Sequence, residues 1–456
     1  MFKSLDLKRL EQRFMVPEAE AALVLNKLGQ IMAPVSYSER QFNQTIYVND
    51  DELSVPWGIS LKARRYITKP DGTIIIGPSD LFNCELKWEE TAGGAGRIKT
   101  KFSLTLPDFC LLAAKQLTDI IGQQVSLRPH ILIQYRRCHF IPRDNAEMRV
   151  TADQEMEYGF FPLGQPMVRL GQEKGLRVEI KMDKNKNSSA YKEVVDLMCQ
   201  RGAVPTISKK NQAYNFHAKY LDQFGTKLHK ELAGTEIESK FSVSHPRPYA
   251  FFMELKKAFL RGEFPDFFLD PYPYTKAGTS INFYWTRLEK GKMVEGIKLL
   301  YRGQQFRIVT KAQTQILPDE FGLSCVMKRH EEKGERFDLS FENLKNVLAQ
   351  YTEKFGQLTP QGHLLRSRLA LWPENKKSGR VYHLNLDRCV KDDEVFYQLE
   401  LEYVGRRPEV KQTNVDPERK IIKELCGLSW SVYLFANRQA QVLLPSQTTK
   451  LEWLTT

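Results

Sequence analysis

The chain has 456 residues, with Lys+Arg 67 against Asp+Glu 55, a formal net charge of +12 and 42% hydrophobic residues. That length holds two or three domains, and the composition excludes disorder for most of the chain while leaving a basic surplus suited to anionic partners. The seven cysteines are scattered without a CxxC pair, which argues against a zinc cluster and for a reducing cytoplasm, and no run approaches the roughly 18 apolar residues of a membrane span.

Alternating, strand-like segments recur from residue 8 to 182, broken by two predicted helices, Pro17–Leu28 and Pro107–Ile121. The polar break DKNKNSSA (183–190) precedes a short amphipathic helix in SAYKEVVDLMCQRG, stopped by Gly202, and a basic polar stretch then runs on through Tyr220. These segments make a first unit, 1–232. A second, 233–405, opens on the strand EIESKF (236–241) and closes on LELEYVG (399–405), with predicted helices at 247–261 and at 340–355, the latter capped by Ser340. RHEEKGER (329–336) reads as a solvated turn, and GGAG (93–96), with no GK[ST] after it, as a hairpin loop. Residues 406–456 form a tail whose apolar segment LSWSVYLF is expected to dock on a neighbouring domain.

Side chains two apart on a strand share a face. Sorted this way, the first unit groups Arg9, Glu11 and Arg13; Lys62, Arg64 and Tyr66; Glu85 and Lys87; Lys99 and Lys101; Tyr135 and Arg137; Arg149, Thr151 and Asp153; and Arg177, Glu179 and Lys181. The opposite parity is mostly apolar. Eleven cations against four acids on one face would repel one another in a plain solvated sheet. Closing the sheet into a barrel turns that face into a cation-lined tunnel with helices packed outside. The predicted class is therefore α+β, mainly antiparallel, with two tandem closed β-barrels.

A cationic tunnel suits triphosphate or polyphosphate, and Glu11 with Glu179, neighbours once first and last strands pair, suit a Mg²⁺ or Mn²⁺ ion bridging phosphate oxygens. The second unit repeats this with more acid: Glu236, Glu238 and Lys240 on its first strand, Glu400 and Glu402 on its last. Between them lie Arg307, Lys311, Lys328, Arg366 and Arg368 as candidate phosphate ligands, with His383, Asn385 and Asp387 on one parity. Four glutamates on pairing strands repel without a divalent ion, which makes this the better metal site.

EIESK followed by LELEY resembles the ExExK and ExE signature of the CYTH superfamily, the triphosphate tunnel metalloenzymes. The first unit is more specifically similar to the vacuolar-transporter-chaperone branch through KRLEQRF (8–14), TIYVND (45–50), LKARRY (61–66), ELKWEE (85–90), YRR (135–137), MRVTAD (148–153), VEIK (178–181) and ISKK (207–210). The resemblance implies eight-stranded closed barrels acting on triphosphates with a divalent cation. It implies that Arg9, Arg13, Lys62, Arg64, Lys87, Lys99, Lys101, Arg137 and Arg149 line the tunnel, with Lys181 beside them. Glu179 becomes the principal metal ligand, and Lys209 guides substrate near the mouth. Arg64, Lys87, Arg137 and Glu179 are then the expected catalytic set. Departures from the pattern are the single glutamate on the first unit's last strand, and Val309, which interrupts the alternation between Arg307 and Lys311.

The function expected is phosphoryl transfer from ATP with polyphosphate synthesis, in which no protein nucleophile is needed. Two alternatives stay open: a triphosphatase acting on inorganic triphosphate, NTP or RNA 5′-triphosphate, and a non-catalytic polyphosphate or nucleic-acid binder. Nucleic acid is disfavoured because Tyr66 and Tyr135 are the aromatics counted on the charged parity.

Overall fold

The structure, a computed structural model, describes residues 4–5, 9–35, 42–50, 55, 59–67, 77, 79–89, 97–121, 124–143, 148–183, 189–225, 227–244, 248–269, 276–289, 292–302, 305–338, 346, 349–354, 356, 358–391, 394–410, 416–439 and 443–455. The GGAG loop and the Ser340 cap lie outside these residues. The chain divides into two compact units, Met1–His217 with Leu339–Asn346, and Ala218–Asp338 with Val347–Thr456. The segment after residue 406 thus belongs with the second unit's strands.

The first unit has eight long strands: β1 (Arg9–Val16), β2 (Phe42–Asn49), β3 (Ser60–Ile67), β4 (Leu81–Glu89), β5 (Arg97–Thr105), β6 (Arg128–Ile141), β7 (Arg149–Phe160) and β8 (Leu176–Asp183). They form an antiparallel sheet in the order β5-β4-β3-β2-β6-β7-β8-β1, extended by short strands at both ends. Among the described residues β5 and β1 do not pair with each other. The apolar parity is covered by helices, as the alternation requires. Val24 and Leu28 of α1 (Ala21–Ile31) and Val194, Leu197 and Met198 of α3 (Ser189–Gln200) pack on Phe14, Val178 and Ile180. Phe109, Ala113 and Leu117 of α2 (Leu106–Ile121) pack on Ile46, Phe82 and Leu86. At the turn into β8, Gly175 has φ +95, and a Cβ there would lie 2.3 Å from the Val16 carbonyl oxygen, so only glycine fits.

Two local expectations change. Pro17 opens a short 3₁₀ turn, so α1 starts at Ala21. The basic stretch after Gly202 contains a helix, α4 (Lys209–Asp222), whose buried positions include Gln212, Asn215 and His217 and therefore carry no clean apolar period.

The second unit is a closed ring of eight antiparallel strands: β9 (Thr235–Val243), β10 (Lys276–Glu289), β11 (Lys292–Arg302), β12 (Gln305–Ile316), β13 (Val326–Asp338), β14 (Thr359–Leu371), β15 (Arg380–Lys391) and β16 (Glu394–Arg406). The ring runs β9-β13-β12-β11-β10-β14-β15-β16 and returns to β9. RHEEKGER lies inside β13 and is not a turn: its charges fall on both parities, which hides the alternation. Register shifts between Arg307 and Val309 and between Ala312 and Gln315 bend β12 against β13, and Gln313 at the second takes φ 55. Outside the ring, α5 (Pro248–Leu260) buries Phe251, Phe252, Leu255 and Phe259. The LSWSVYLF segment is the C-terminal half of α6 (Pro417–Arg438), whose Asp416 cap accepts from the Arg419 N–H and whose Ile421, Leu425, Leu428, Val432 and Phe435 form one buried stripe. A last helix, α7 (Lys450–Thr455), follows.

Candidate functional site

In the first unit the strand register sets the predicted charges side by side. Lys62 lies opposite Glu85, Glu85 opposite Lys101, Glu179 opposite Arg13, and Lys181 opposite both Glu11 and Arg149. Each carboxylate on this face is gripped by two cations. Glu85 meets Lys62 at 2.7 Å and Lys87 at 3.2 Å. Asp153 accepts paired bonds from Arg137 at 2.6 and 2.7 Å and a further one from Lys209. Glu11 pairs with Arg13 and, at 3.6 Å, with Lys181; Glu179 meets the same two at 3.5 and 3.1 Å. Arg64 donates to Thr45 Oγ1, and Lys101 and Arg149 are exposed. The side chains of Arg9 and Lys99 lie outside the described residues.

The cations remain short of counter-charge. Burial, with Arg64 and Lys87 alongside, holds Lys62 well below the usual lysine range, and burial with Arg137 lowers Lys209. Burial pushes Glu179 up, but its hydrogen bond with Glu11 and the cations Lys209, Lys181 and Arg13 outweigh that and hold it well below the usual carboxylate range. Beneath them Tyr135 is fully buried, with Arg137 5.0 Å and Lys209 4.7 Å from its ring centre.

The second unit holds a cavity of about 230 Å³ lined by nine cations and five glutamates, among them the predicted Glu236, Glu238, Lys240, Arg307, Lys311, Arg366, Arg368, Glu400 and Glu402. Val309, the apparent interruption, also lines it. Pairing of β9 with β16 sets Glu238 opposite Glu402 and Lys240 opposite Glu400. Glu236 accepts from Lys311 at 2.8 and 2.7 Å and from Arg329; Glu238 pairs with Lys240 at 2.9 Å and with Arg329. Glu400 is bound by Arg368 and Lys450, which also hold Asp387, at 2.6 and 2.9 Å respectively.

Glu402 differs: among the described residues it has no hydrogen bond or ion pair. Burial and the charge of Glu236, with Glu238 adding to them, push its carboxyl up to about 7, against the pull of Lys333 and Arg368. Across the cavity, burial and the neighbouring cations Lys311 and Arg366 hold Lys298 well below the usual lysine range. Among the described residues Arg366 reaches a single carboxylate, Asp387, at 3.9 Å.

Lys328 is a correction. Expected as a phosphate ligand, it instead pairs at 2.6 Å with Glu418 of α6, and its neighbour Arg329 lines the cavity. The Lys328→Ala variant is accordingly expected to lose less than about 1 kcal/mol, as for an exposed ion pair, with activity unchanged, by thermal melt and turnover assay. Arg329, Glu331, Lys333 and Lys450 also line the cavity, and the sequence pattern does not mark them as lining residues.

Among the described residues no three carboxylate, imidazole or thiol side chains converge as a ready-made metal site. The surroundings of Glu402 nevertheless fit a divalent ion, because an unneutralised carboxylate beside Glu238 lacks a cation that phosphate oxygens would help to coordinate. Glu11 and Glu179 fit less well: both are paired with Arg13 and Lys181, and no carboxylate without an ion pair stands beside them as Glu402 stands beside Glu238 among the described residues.

No family model and no curated protein matches the chain. Matching solved structures include a candidate adenylate cyclase from Bacillus halodurans, at 12% identity over 44% of this chain and 97% of that one, TM-score 0.29. Another candidate adenylate cyclase, from Vibrio parahaemolyticus, has 17% identity over 45% and 97%, TM-score 0.26. The Pct1 RNA triphosphatase of S. pombe bound to the Spt5 CTD has 12% identity over 52% and 94%, TM-score 0.21. Likenesses this weak add nothing to a functional argument, which rests on the residues.

Proposed function

We propose that the protein is an enzyme of metal-dependent phosphoryl transfer from a nucleoside triphosphate such as ATP, working in the second-unit tunnel and extending a polyphosphate chain. One observation carries this reading: Glu402, a carboxylate without an ion pair among the described residues, lines a cavity whose nine cations outnumber its acids. Lys298 and Arg366, poorly supplied with counter-charge, would take non-bridging oxygens of the triphosphate, with Lys311 and Arg368 beside them. Glu402 and Glu238 would hold a Mg²⁺ or Mn²⁺ ion, which when bound neutralises phosphate charge and aligns the oxygens.

In the transfer, the acceptor oxygen forms a bond to the γ-phosphorus while the bond to the β-phosphate oxygen breaks, and the electron pair leaves with that oxygen. The fixed cations are already in place for the charge that develops there. A phosphate acceptor needs no protein nucleophile or base. Polyphosphate synthesis also gives the surplus cations a role, since donor and acceptor phosphates must be held together.

Incubating the protein with ATP and Mn²⁺, and resolving the products on a gel beside an assay of released phosphate, tests this. Long chains with little free phosphate support synthesis. Phosphate alone replaces the acceptor with water and makes the enzyme a triphosphatase. Neither product, or turnover lost in Glu179→Gln and retained in Glu402→Gln, overturns the assignment to the second unit.

A further inference from the structure

We infer that helix α4 is an acid-released lid on the charged face of the first unit, latched by the neutral imidazoles of His130 and His217. The inference does not rest on the proposed activity, which lies in the second unit. The helix joins the two features it would couple. Its first residue, Lys209, reaches the charged face, where it bonds Asp153 and lies 4.7 Å from the Tyr135 ring centre. Two turns on, His217 meets His130 edge to face at a ring separation of 5.1 Å, with Tyr214 5.8 Å from His130 and Phe160 4.3 Å from His217. His130 arrives there through a β-bulge. Tyr47 pairs with Ile131 and Val48 with Pro129, so His130 is the extra residue, and a bulge re-aims such a side chain out of the strand's alternation.

The latch cannot hold a proton. His130 is 0% exposed, and among the described residues neither ring nitrogen has a hydrogen-bond partner. The groups facing it are Arg128 from its own strand, His217 and Tyr214 from α4, and Phe160 from β7. The Tyr214 hydroxyl accepts from Asn49 Nδ2 at 2.9 Å, and burial pushes it up, so it stays neutral. None of the four supplies a negative charge. Burial, with His217 and Arg128 after it, therefore holds the His130 imidazole well below the usual histidine range. Protonation accompanies departure from the pocket.

The helix is also lightly seated. Gln212, likewise 0% exposed, has no partner at either amide atom among the described residues. Besides the histidines, α4 is tied by Lys210 to the Ile59 carbonyl oxygen at 2.7 Å, by Tyr214 to Asn49, and by Phe216 against Tyr158, with ring centres 5.0 Å apart. A segment held by scattered polar bonds opens locally more easily than core strands do. A released histidine titrates near 6.5 and docked His130 lower, so docking is complete above about pH 6.5 and weakens as pH falls below it. One proton taken up on opening raises the open fraction about tenfold per pH unit. Opening withdraws Lys209 from Asp153 and bares that face.

The test is hydrogen exchange of the full chain, read by mass spectrometry between about pH 7.5 and about pH 5 and corrected for the intrinsic pH dependence of exchange. Peptides from 209–217 are expected to lose protection by about tenfold per pH unit below about pH 6.5, while those of β7 and β8 keep theirs. His130→Gln removes the titrating ring and should flatten the response. His217→Gln, on the helix itself, should make it shallower, and it carries the test if His130→Gln fails to fold. Protection of α4 that stays flat across the range, a loss unchanged in the variants, or a loss shared equally by β7 and β8 overturns the inference. Neither turnover nor nucleotide enters the measurement, so its failure is distinct from failure of the catalytic reading.

Discussion

Glu402→Gln is expected to lower turnover by about a hundredfold or more and, in the same molecule, to raise the melting temperature of the second unit. Glutamine keeps the length of the side chain and removes its charge. In the wild type that charge faces Glu236 and Glu238 from within the ring, and burial with this repulsion lifts the carboxyl to about 7. A carboxylate displaced that far upward opposes folding at neutral pH, by about 1 to 3 kcal/mol at 1.36 kcal/mol per pKa unit with allowance for solvent screening. For a unit of this size that corresponds to about 3 to 9 °C. Loss of a group that orders the phosphates in the transition state should lower kcat by about 10² to 10³. Differential scanning calorimetry without metal and a steady-state assay with Mn²⁺ give the two readouts. A variant that melts lower, or one that keeps wild-type turnover, would show that Glu402 is an ordinary lining residue. Stability gained as activity is lost is the signature of a residue kept against the interest of the fold.

The barrel faces were legible because strand geometry is local: the period of two is written into consecutive residues, and Lys62 with Arg64, or Glu400 with Glu402, needs no partner strand to be sorted. Glu238 and Glu402 lie far apart in the chain, yet their juxtaposition follows once first and last strands pair. Parity fails where charge occupies both faces. In β13, Lys328 and Arg329 are equally basic neighbours, and only the pairing of Lys328 with Glu418 decides which points outward. Lys450 was not legible at all. It reaches Asp387 and Glu400 from a short helix after α6, and nothing in its neighbourhood in sequence marks it as a cavity residue. Whether a candidate carboxylate is neutralised was equally out of reach. Glu179 and Glu402 look alike on their strands, and what separates them is the ion pairing of one with Arg13 and Lys181 and the lack, among the described residues, of a cation within ion-pair distance of the other.

The second large effect is expected at Asp153→Asn, which should lower the stability of the first unit by about 3 to 5 kcal/mol, the usual result of removing one partner from a buried ion cluster. Asp153 is 0% exposed and is the common acceptor for the Arg137 guanidinium and the Lys209 ammonium. Burial would raise its carboxyl, but Arg137 and Lys209 outweigh burial and hold it well below the usual range. A depressed carboxylate contributes stability that is complete above its unfolded value, near 4, and that is lost as pH falls toward the folded value. The difference between wild type and variant should therefore be full at pH 7 and shrink in acid. Melting of the first unit should drop by roughly 6 to 20 °C at neutral pH. Because the change strands two buried cations, tripolyphosphate should restore more stability to the variant than it adds to the wild type. A ligand present at 100 times its Kd contributes about 2.7 kcal/mol. Equal melting temperatures at pH 7 would remove Asp153 as the anchor of Lys209. A normal drop with no greater rescue would leave the anchor in place and argue that the stranded cations do not face the phosphate path.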